Sequence, residues 1–279
     1  MIRKIFLFVL LALSFTACDE IAPPVTGSMG PVDPGPDVTG QQRQVLIEEF
    51  TGVRCVNCPA GSAAVEDLSA VHGAQLVAVS IHAGEFSPPY SDSNHDFRTP
   101  EGDQILSYLG EPFGYPTAVV NRRLFDGEFD LQLGQSQWAG FIAEEKAIPP
   151  KVKIAIEPAF NNTNRILIVD VTLFVQEDIS DPDVRLSIMI TESGIQDVQL
   201  TPAGKDAGYI HKHVLRGMMT NYDGDRLTET LGTGAEITKP YSMTLPAVWD
   251  ENHCDVIAFV SLAGESKDVL QAHKVAVVE

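Results

Sequence analysis

Residues 49–58 have the sequence EFTGVRCVNC, and this stretch decides the fold of the region around it. It begins inside the short apolar run 45–50, which suits a central β-strand buried on both faces. It ends where residues 58–71 place apolar or small side chains at helical spacing. The pair Cys55 and Cys58 is therefore predicted to lie between the exit of a strand and the first turn of a helix.

This position of a C-x-x-C motif is the one that thiol–disulfide exchange requires. Cys55 faces the unpaired amides and the positive end of the helix, which stabilise a thiolate, and Arg54 adds a neighbouring cation. Cys58 lies within reach to resolve a mixed disulfide. A static surface disulfide and half of a zinc site are the alternatives. Zinc is disfavoured because only scattered histidines and Cys254 remain as further ligands, and we predict neither a metal nor a cofactor.

The rest of the first segment alternates between strand-like and helix-like patterns. Strands are predicted at 45–50, 76–81 and 117–121, with a hairpin partner at 124–128. Helices are predicted at 58–71, 99–109 and 135–146, the second of them opening with a capping threonine, proline and acids. The order β-α-β-α-β-β-α predicts one α/β domain over residues 43–148.

From residue 149 onward the helical spacing disappears. Seven strand-like runs follow, separated by Asn, Asp, Gly and Pro, and the first of them alternates apolar residues with charged ones. This pattern predicts an antiparallel, all-β sandwich over residues 149–279. The Pro149-Pro150 pair is the predicted hinge between the two domains.

The N-terminus has the pattern of a targeting segment. Residues 1–17 carry two basic residues, an apolar run at 5–13 and mostly small residues before Cys18. The sequence FTAC at 15–18 resembles the bacterial lipoprotein box, which implies a lipid on Cys18. The apolar run is too short to cross a bilayer, so the lipid is the only membrane attachment we expect. Residues 18–42, with five prolines and little apolar bulk, are predicted to be an extended, mobile tether.

The net charge of the chain argues against two classes of partner, nucleic acids and anionic lipid surfaces. Lys and Arg total 19 against 38 Asp and Glu, a formal net charge of −19. Nucleic-acid binding and electrostatic docking on anionic lipid both need basic patches, so neither is expected. Removal of residues 1–17 takes away two basic residues and no acids, which makes the mature chain more acidic still.

The stretch at 49–58, followed much later by GYPT at 114–117, resembles the thioredoxin superfamily. The resemblance implies that Pro116 is a cis-proline that faces the cysteine pair and takes the backbone of the substrate. Its neighbours Tyr115 and Thr117, together with Arg54, are then the substrate-facing residues.

The same resemblance implies roles for the cysteines and for one acid. Cys55 is the nucleophile, Cys58 is the resolving thiol, and Glu49 is a buried acid that relays protons. The sequence departs from the superfamily at two places, because Arg54 replaces the usual tryptophan and Pro59 lies outside the cysteine pair.

A narrower resemblance covers nearly the whole mature chain. It rests on the lipoprotein box and on EEFTG (48–52), CVNCP (55–59), IHAG (81–84), DFRT (96–99), GYPT (114–117) and HVLR (213–216). These features are similar to the outer membrane protein twenty-eight family of lipoproteins. The resemblance implies a thioredoxin-like domain and an immunoglobulin-like β domain, lipid-anchored at a Gram-negative outer membrane, on its periplasmic or cell-surface face. It implies no particular substrate.

Two functions are compatible with this sequence. The first is thiol–disulfide exchange on extracytoplasmic protein or peptide disulfides. The second is a non-enzymatic binding or adhesion lipoprotein with a structural disulfide. The surroundings of Cys55 distinguish them, since an exposed sulfur facing Pro116 favours exchange and a buried pair favours the scaffold.

The sequence also supports predictions about an insertion, a pair of histidines and the remaining cysteine. Residues 84–100 form an insertion on the same side as Cys55, either functional or packed by its own aromatic residues. His211 and His213 are predicted to share one face of a strand, as a metal pair or as partly exposed histidines. Cys254 is predicted to be a buried core thiol.

Overall fold

The computed structural model describes residues 37–278. The predicted signal, Cys18 and most of the predicted tether lie outside the described residues. Residues 37–278 form one compact unit. Within this part of the chain, no helix combines the length and the apolar character that crossing a membrane requires.

Residues 37–148 alternate strands and helices: β1 (Val45–Thr51), α1 (Cys58–His72), β2 (Leu76–His82), α2 (Pro100–Leu109), β3 (Thr117–Val120) and α3 (Trp138–Lys146). Strand β1 is parallel to β2 and antiparallel to β3. Helices α1 and α3 pack on one face of these strands, and α2 packs on the other. The predicted hairpin strand at 124–128 is wrong, because those residues are turns and β3 makes its bridge to Leu133 instead.

Residues 149–278 are built of strands: β4 (Val152–Asn161), β5 (Ile166–Val175), β6 (Val184–Glu192), β7 (Ile195–Gln196), β8 (Gln199–Thr201), β9 (Gly204–Asp206), β10 (Ile210–His211), β11 (Val214–Met218), β12 (Asp225–Arg226), β13 (Glu236–Thr244), β14 (Cys254–Leu262) and β15 (Val269–Ala276). The long runs of alternating or continuous apolar residues become strands, as predicted. The short strands β7 to β10 lie in a segment without a clear alternation of apolar and polar residues. Most of them were therefore not predicted from the sequence.

Strands from both parts share one sheet. In the described chain this sheet has eight strands in the order β15-β14-β6-β11-β2-β1-β3, with β12 paired to β6. At the junction β11 lies parallel to β2, where the Ser80 amide donates to the His213 carbonyl oxygen at 2.7 Å. A second sheet, β13-β5-β4, packs its apolar face against β6 and β14. The fold is therefore mixed α/β with a large β-sheet content and few helices.

The boundary predicted at residues 148/149 is a change of secondary structure and not a hinge between separate bodies. Pro149-Pro150 separates α3 from β4, but the large sheet continues across the boundary. One hydrophobic cluster combines Phe50 from the first part with Leu215 and Phe259 from the second. A pair of prolines ends a helix whether or not a domain ends with it, so the sequence pattern could not distinguish the two cases.

The predicted tether, residues 18–42, extends too far toward the C-terminus. The side-chain amide of Gln41 donates to the carbonyl oxygen of Ile154 at 2.8 Å and accepts from its N–H at 2.8 Å. The side chain of Gln271 donates to the carbonyl oxygen of Gln42 at 3.0 Å. These polar residues join the compact unit because a side-chain amide can both donate to a backbone C=O and accept from a backbone N–H. It thereby replaces the hydrogen bonds that a neighbouring strand would make.

Candidate functional site

The two cysteines of the C-x-x-C motif are joined by a disulfide at the start of α1. Strand β1 ends at Thr51, a short turn carries Cys55, and Cys58 is the first residue of the helix. The S–S distance is 2.09 Å. Cys55 is 4 % exposed and Cys58 is 1 % exposed, so both side chains are buried. The predicted position between a strand exit and a helix start is confirmed.

Pro116 follows a cis peptide bond and lies against the first turns of α1. The bond Tyr115–Pro116 is cis. A β-carbon built on Gly61 would lie 2.6 Å from the β-carbon of Pro116, so glycine is what allows helix and proline to approach this closely. The bond before Pro116 is therefore cis, as the resemblance implied, and the proline lies against the helix that begins with Cys58.

The three residues expected to face a substrate have different surroundings. Thr117 is buried, and its hydroxyl donates to the carbonyl oxygen of Leu133 at 3.0 Å, so this side chain points into the protein. Tyr115 is half-buried, and its hydroxyl contacts the carbonyl oxygen of Ala83 at 3.3 Å. Arg54 is exposed, but its guanidinium is engaged by backbone carbonyl oxygens of the insertion. The side chain of Thr117 is therefore not substrate-facing, because β3 is buried along its whole length and this hydroxyl is bound to Leu133.

Glu49 is buried between β1, β2 and α1. Its carboxylate accepts hydrogen bonds from Ser62 Oγ at 3.1 Å and from Ser80 Oγ at 3.0 Å. Burial raises the pKa of Glu49 to about 7, although both hydroxyl donors act in the opposite direction. The group can therefore gain or lose a proton near neutral pH, which is what a proton relay requires.

A cavity of about 240 Å³ lies beside α1, and its wall includes both hydroxyl donors of Glu49, Ser62 and Ser80. His82 and His211 also line it, and burial lowers the pKa of both, to about 4 for His211. Both imidazoles are therefore uncharged at neutral pH. Sequence analysis did not find these neighbours. The one local signal was the spacing of Ser62, which follows Cys58 by one helical turn.

His211 and His213 do not share a strand face. His213 has a φ of 54° and interrupts the predicted strand between β10 and β11. Its Nε2 lies 2.8 Å from a carboxylate oxygen of Glu66, whereas His211 packs against the ring of Phe97. In the described residues, no group of three or more His, Cys, Asp or Glu side chains is arranged to hold a metal.

Cys254 is a buried core thiol, as predicted. It is 1 % exposed at the start of β14, and burial raises its pKa to about 12. A thiol with such a pKa carries almost no thiolate at neutral pH and is a poor nucleophile. Among the described cysteines, the pair at the start of α1 is therefore the remaining candidate for thiol–disulfide exchange.

The family model of the outer membrane protein Omp28 matches residues 106–279, which is more than half of the chain. The chain belongs to the Omp28 family. This match confirms the resemblance seen in the sequence, and with it the outer-membrane, lipid-anchored location expected of an Omp28-family lipoprotein. The matched residues begin within α2 and include Pro116, but they do not include Cys55 and Cys58.

Solved structures similar to this Omp28-family chain are distant in sequence. HBP35 of Porphyromonas gingivalis superposes with a TM-score of 0.68 at 20 % identity, covering 85 % of this chain and 76 % of that one. The protein AGR_C_4864 from Agrobacterium tumefaciens has a TM-score of 0.55 at 13 % identity, covering 86 % of this chain and 96 % of that one. At these identities the likeness concerns the fold alone. Among curated proteins, no sequence matches this chain.

Proposed function

We propose that this Omp28-family lipoprotein carries out thiol–disulfide exchange on extracytoplasmic proteins or peptides. In this proposal the elements from β1 to α3 are a thioredoxin-like unit, and the strands that follow are an immunoglobulin-like β domain fused to it through the shared sheet. The observation that carries the proposal is the disulfide at the start of α1, together with the cis-proline Pro116 that packs against Gly61 of the same helix. No cofactor is needed, since the electrons move between sulfur atoms.

The oxidised pair accepts two electrons from a substrate dithiol. A substrate thiolate attacks Sγ of Cys55, the bond between Cys55 and Cys58 breaks, and Cys58 leaves as a thiolate. The second substrate thiol then attacks the substrate sulfur of the mixed disulfide and releases Cys55 as a thiolate. The substrate ends as a disulfide and the protein as a dithiol, and the same steps in reverse reduce a substrate disulfide.

Glu49 supplies the proton that this exchange requires. Its carboxyl group lies beneath α1, and its pKa of about 7 leaves it partly protonated at neutral pH. Ser62, which donates to Glu49, is one helical turn after Cys58. In our proposal the protonated carboxyl gives its proton to the leaving thiolate of Cys58 and recovers it when the disulfide re-forms. In our proposal this proton passes between Glu49 and solvent through its hydroxyl donors Ser62 and Ser80, which line the cavity beside α1.

A second function is favoured by the burial of the pair, which is the outcome that the sequence predicts for a scaffold. Both cysteines are almost fully buried, as a static disulfide in a binding scaffold would be, so exchange requires that the site open. In that case the protein binds a partner at the outer membrane without exchanging electrons, and the disulfide only holds the turn before α1 in place.

A trapping experiment distinguishes the two functions. The full lipidated protein is prepared in detergent as the Cys58→Ala variant, with free Cys55, and mixed with a disulfide-containing peptide. Exchange predicts a covalent adduct through Cys55 that cannot be resolved and accumulates. The double variant Cys55→Ser, Cys58→Ala is the control and should form none.

Mass spectrometry of the Cys55 adduct and the rate of peptide disulfide reduction distinguish exchange from a static scaffold. An adduct at Cys55, together with peptide disulfide reduction by the reduced wild type but not by the double variant, supports exchange. Absence of an adduct, with equal rates for the wild type and the double variant, contradicts it and supports the scaffold.

A further inference from the structure

A short segment of the second part of the chain covers the C-x-x-C turn. We call residues 197–206, which include the β8–β9 hairpin, the strap. The side-chain amide of Gln199 donates to the carbonyl oxygens of Cys55 at 3.1 Å and of Gly52 at 3.3 Å. The N–H of Leu200 donates to the carbonyl oxygen of Val53 at 2.8 Å. The strap therefore binds the backbone that leads into the disulfide.

The insertion at residues 84–100 holds the same turn from another side. The N–H of Arg54 donates to the carbonyl oxygen of Phe86 at 3.0 Å, and its guanidinium donates to the carbonyl oxygens of Pro88 and Pro89 at 2.7 and 2.6 Å. A β-carbon on Gly52 would lie 2.3 Å from the carbonyl oxygen of Phe86, so the two backbones are in direct contact. This explains why the predicted insertion lies beside Cys55.

The strap and the insertion are tied to each other at two points of different strength. The buried carboxylate of Asp197 accepts from the N–H groups of Asn94 at 3.1 Å and His95 at 2.6 Å. The exposed ammonium of Lys205 lies 2.7 Å from both carboxylate oxygens of Asp92. The root of the strap at Asp197 is therefore firmly attached. Its hairpin end is held by an exposed ion pair, which contributes little.

From this geometry we propose that residues 199–206 are a removable cover over the disulfide, held closed by Gln199 and Lys205. Reagents and substrates reach Cys55, which is only 4 % exposed, when the hairpin swings away from its root at Asp197. The strand β9 is exposed along its whole length and few contacts must break, as expected of a segment that opens locally. The idea that the cover regulates exchange rests on the function proposed above. Access to the disulfide, however, can be measured whether or not the protein catalyses exchange.

The test is the rate at which the small phosphine TCEP reduces the Cys55–Cys58 disulfide in the folded full-length protein. The variant Gln199→Ala removes the donor, and Gln199→Glu places a carboxylate against carbonyl oxygens. The variant Lys205→Ala removes the exposed ion pair of β9, a strand whose side chains have no hydrogen bond to the C-x-x-C turn. The matched control is Lys239→Ala, which removes another partly exposed ion pair, Lys239 with Glu229, on β13.

The cover predicts faster reduction in every strap variant and an unchanged rate in the control. Loss of one hydrogen bond of ordinary strength corresponds to an increase of about fivefold for Gln199→Ala, and Gln199→Glu should exceed it. Equal reduction rates in the wild type, Gln199→Ala and Lys205→Ala would overturn the proposal. If Gln199→Glu fails to fold by circular dichroism, Gln199→Ala still decides the question, and Lys205→Ala is expected to give a smaller increase.

The same variants distinguish failure of the proposed cover from failure of the proposed thiol–disulfide exchange. If the strap variants are reduced faster by TCEP but neither they nor the wild type exchange with a peptide disulfide, the cover stands and the proposed function fails. If the wild type exchanges at the rate of the strap variants and all are reduced equally, the function stands and the cover fails.

Discussion

At the scale of single residues, Glu48 and Glu49 show how one strand creates two different sites. Neighbours in a strand point to opposite faces, and both glutamates of β1 are buried. Glu48 meets the buried guanidinium of Arg122, with contacts of 2.8 and 2.6 Å. Glu49 meets only the hydroxyl groups of Ser62 and Ser80. Because no counter-charge faces it, burial disfavours the ionised form of Glu49 and raises the pKa of its carboxyl group to about 7.

The raised pKa of Glu49 makes the stability of the protein depend on pH. Its pKa is about 7 in the folded protein and 4.5 in the reference state. Below pH 4.5 the carboxyl is protonated in both states, so the folded protein bears no burial penalty. Between pH 4.5 and 7 the unfolded chain releases this proton while the folded protein retains it, so stability falls by about 3 kcal/mol over this range and levels off above pH 7.

The variant Glu49→Gln removes this dependence. We expect it to gain about 3 kcal/mol relative to the wild type between pH 4.5 and pH 8, measured by urea unfolding at both pH values. The exposed substitution Glu236→Gln is the control and should show no comparable gain. A wild-type stability that runs parallel to that of Glu49→Gln over this range would contradict the assignment.

At the scale of elements, the approach of α1 to the site depends on one small residue. Gly61 lies in the second turn of α1, where a β-carbon would meet Pro116 at 2.6 Å and a carboxylate oxygen of Glu49 at 3.0 Å. The helix therefore packs against the cis-proline more closely than any other residue type allows. This single contact brings together the disulfide, the proline and the buried acid.

We predict that Gly61→Ala destabilises the protein by about 2 kcal/mol, the typical size of an overpacking strain. The matched control is Gly140→Ala in α3, where nothing lies within 4 Å of the new β-carbon. That substitution should stabilise the protein by up to about 1 kcal/mol, since alanine favours a helix over glycine. Urea unfolding measures both, and equal signs for the two variants would refute the packing argument.

At the scale of the whole molecule, the two segments seen in the sequence share one core. The cluster between α2 and the sheet contains Phe50 and Ile81 from the first segment with Met189, Leu215 and Phe259 from the second. Neither segment buries these side chains alone. The large sheet therefore ties the C-x-x-C site to the β-rich part of the chain, and the strap is a product of that connection.

This shared core predicts one cooperative unfolding transition for the described unit. In differential scanning calorimetry, the calorimetric and van't Hoff enthalpies should agree, as they do for a two-state domain. A fragment of residues 37–148 should show no sharp transition, because removing the second segment exposes the α2 face of β1 and β2. Two separate transitions, or a fragment that melts cooperatively, would show that the segments are independent domains.

The sequence by itself determined the local elements and the chemistry they carry. Apolar periods placed β1, α1, β2 and the long strands, because these patterns repeat every two to four residues. The C-x-x-C motif was found from its position between a strand and a helix, and Pro116 and Glu49 were found from the resemblance to the thioredoxin superfamily. Boundaries at Pro149-Pro150 and at residue 42 were misplaced, since local composition does not show what a segment packs against.

Only the tertiary structure decided what surrounds the disulfide. The donors to Glu49 come from α1 and from β2, and the sheet that joins both segments passes through a single bridge between β2 and β11. Gln199 reaches the carbonyl oxygen of Cys55 across a separation of 144 residues. Such contacts form only when the whole chain packs. The local sequence around either residue contains no pattern from which the other could be predicted. The sequence therefore identified the C-x-x-C pair, and the fold determined which distant segments pack against its turn.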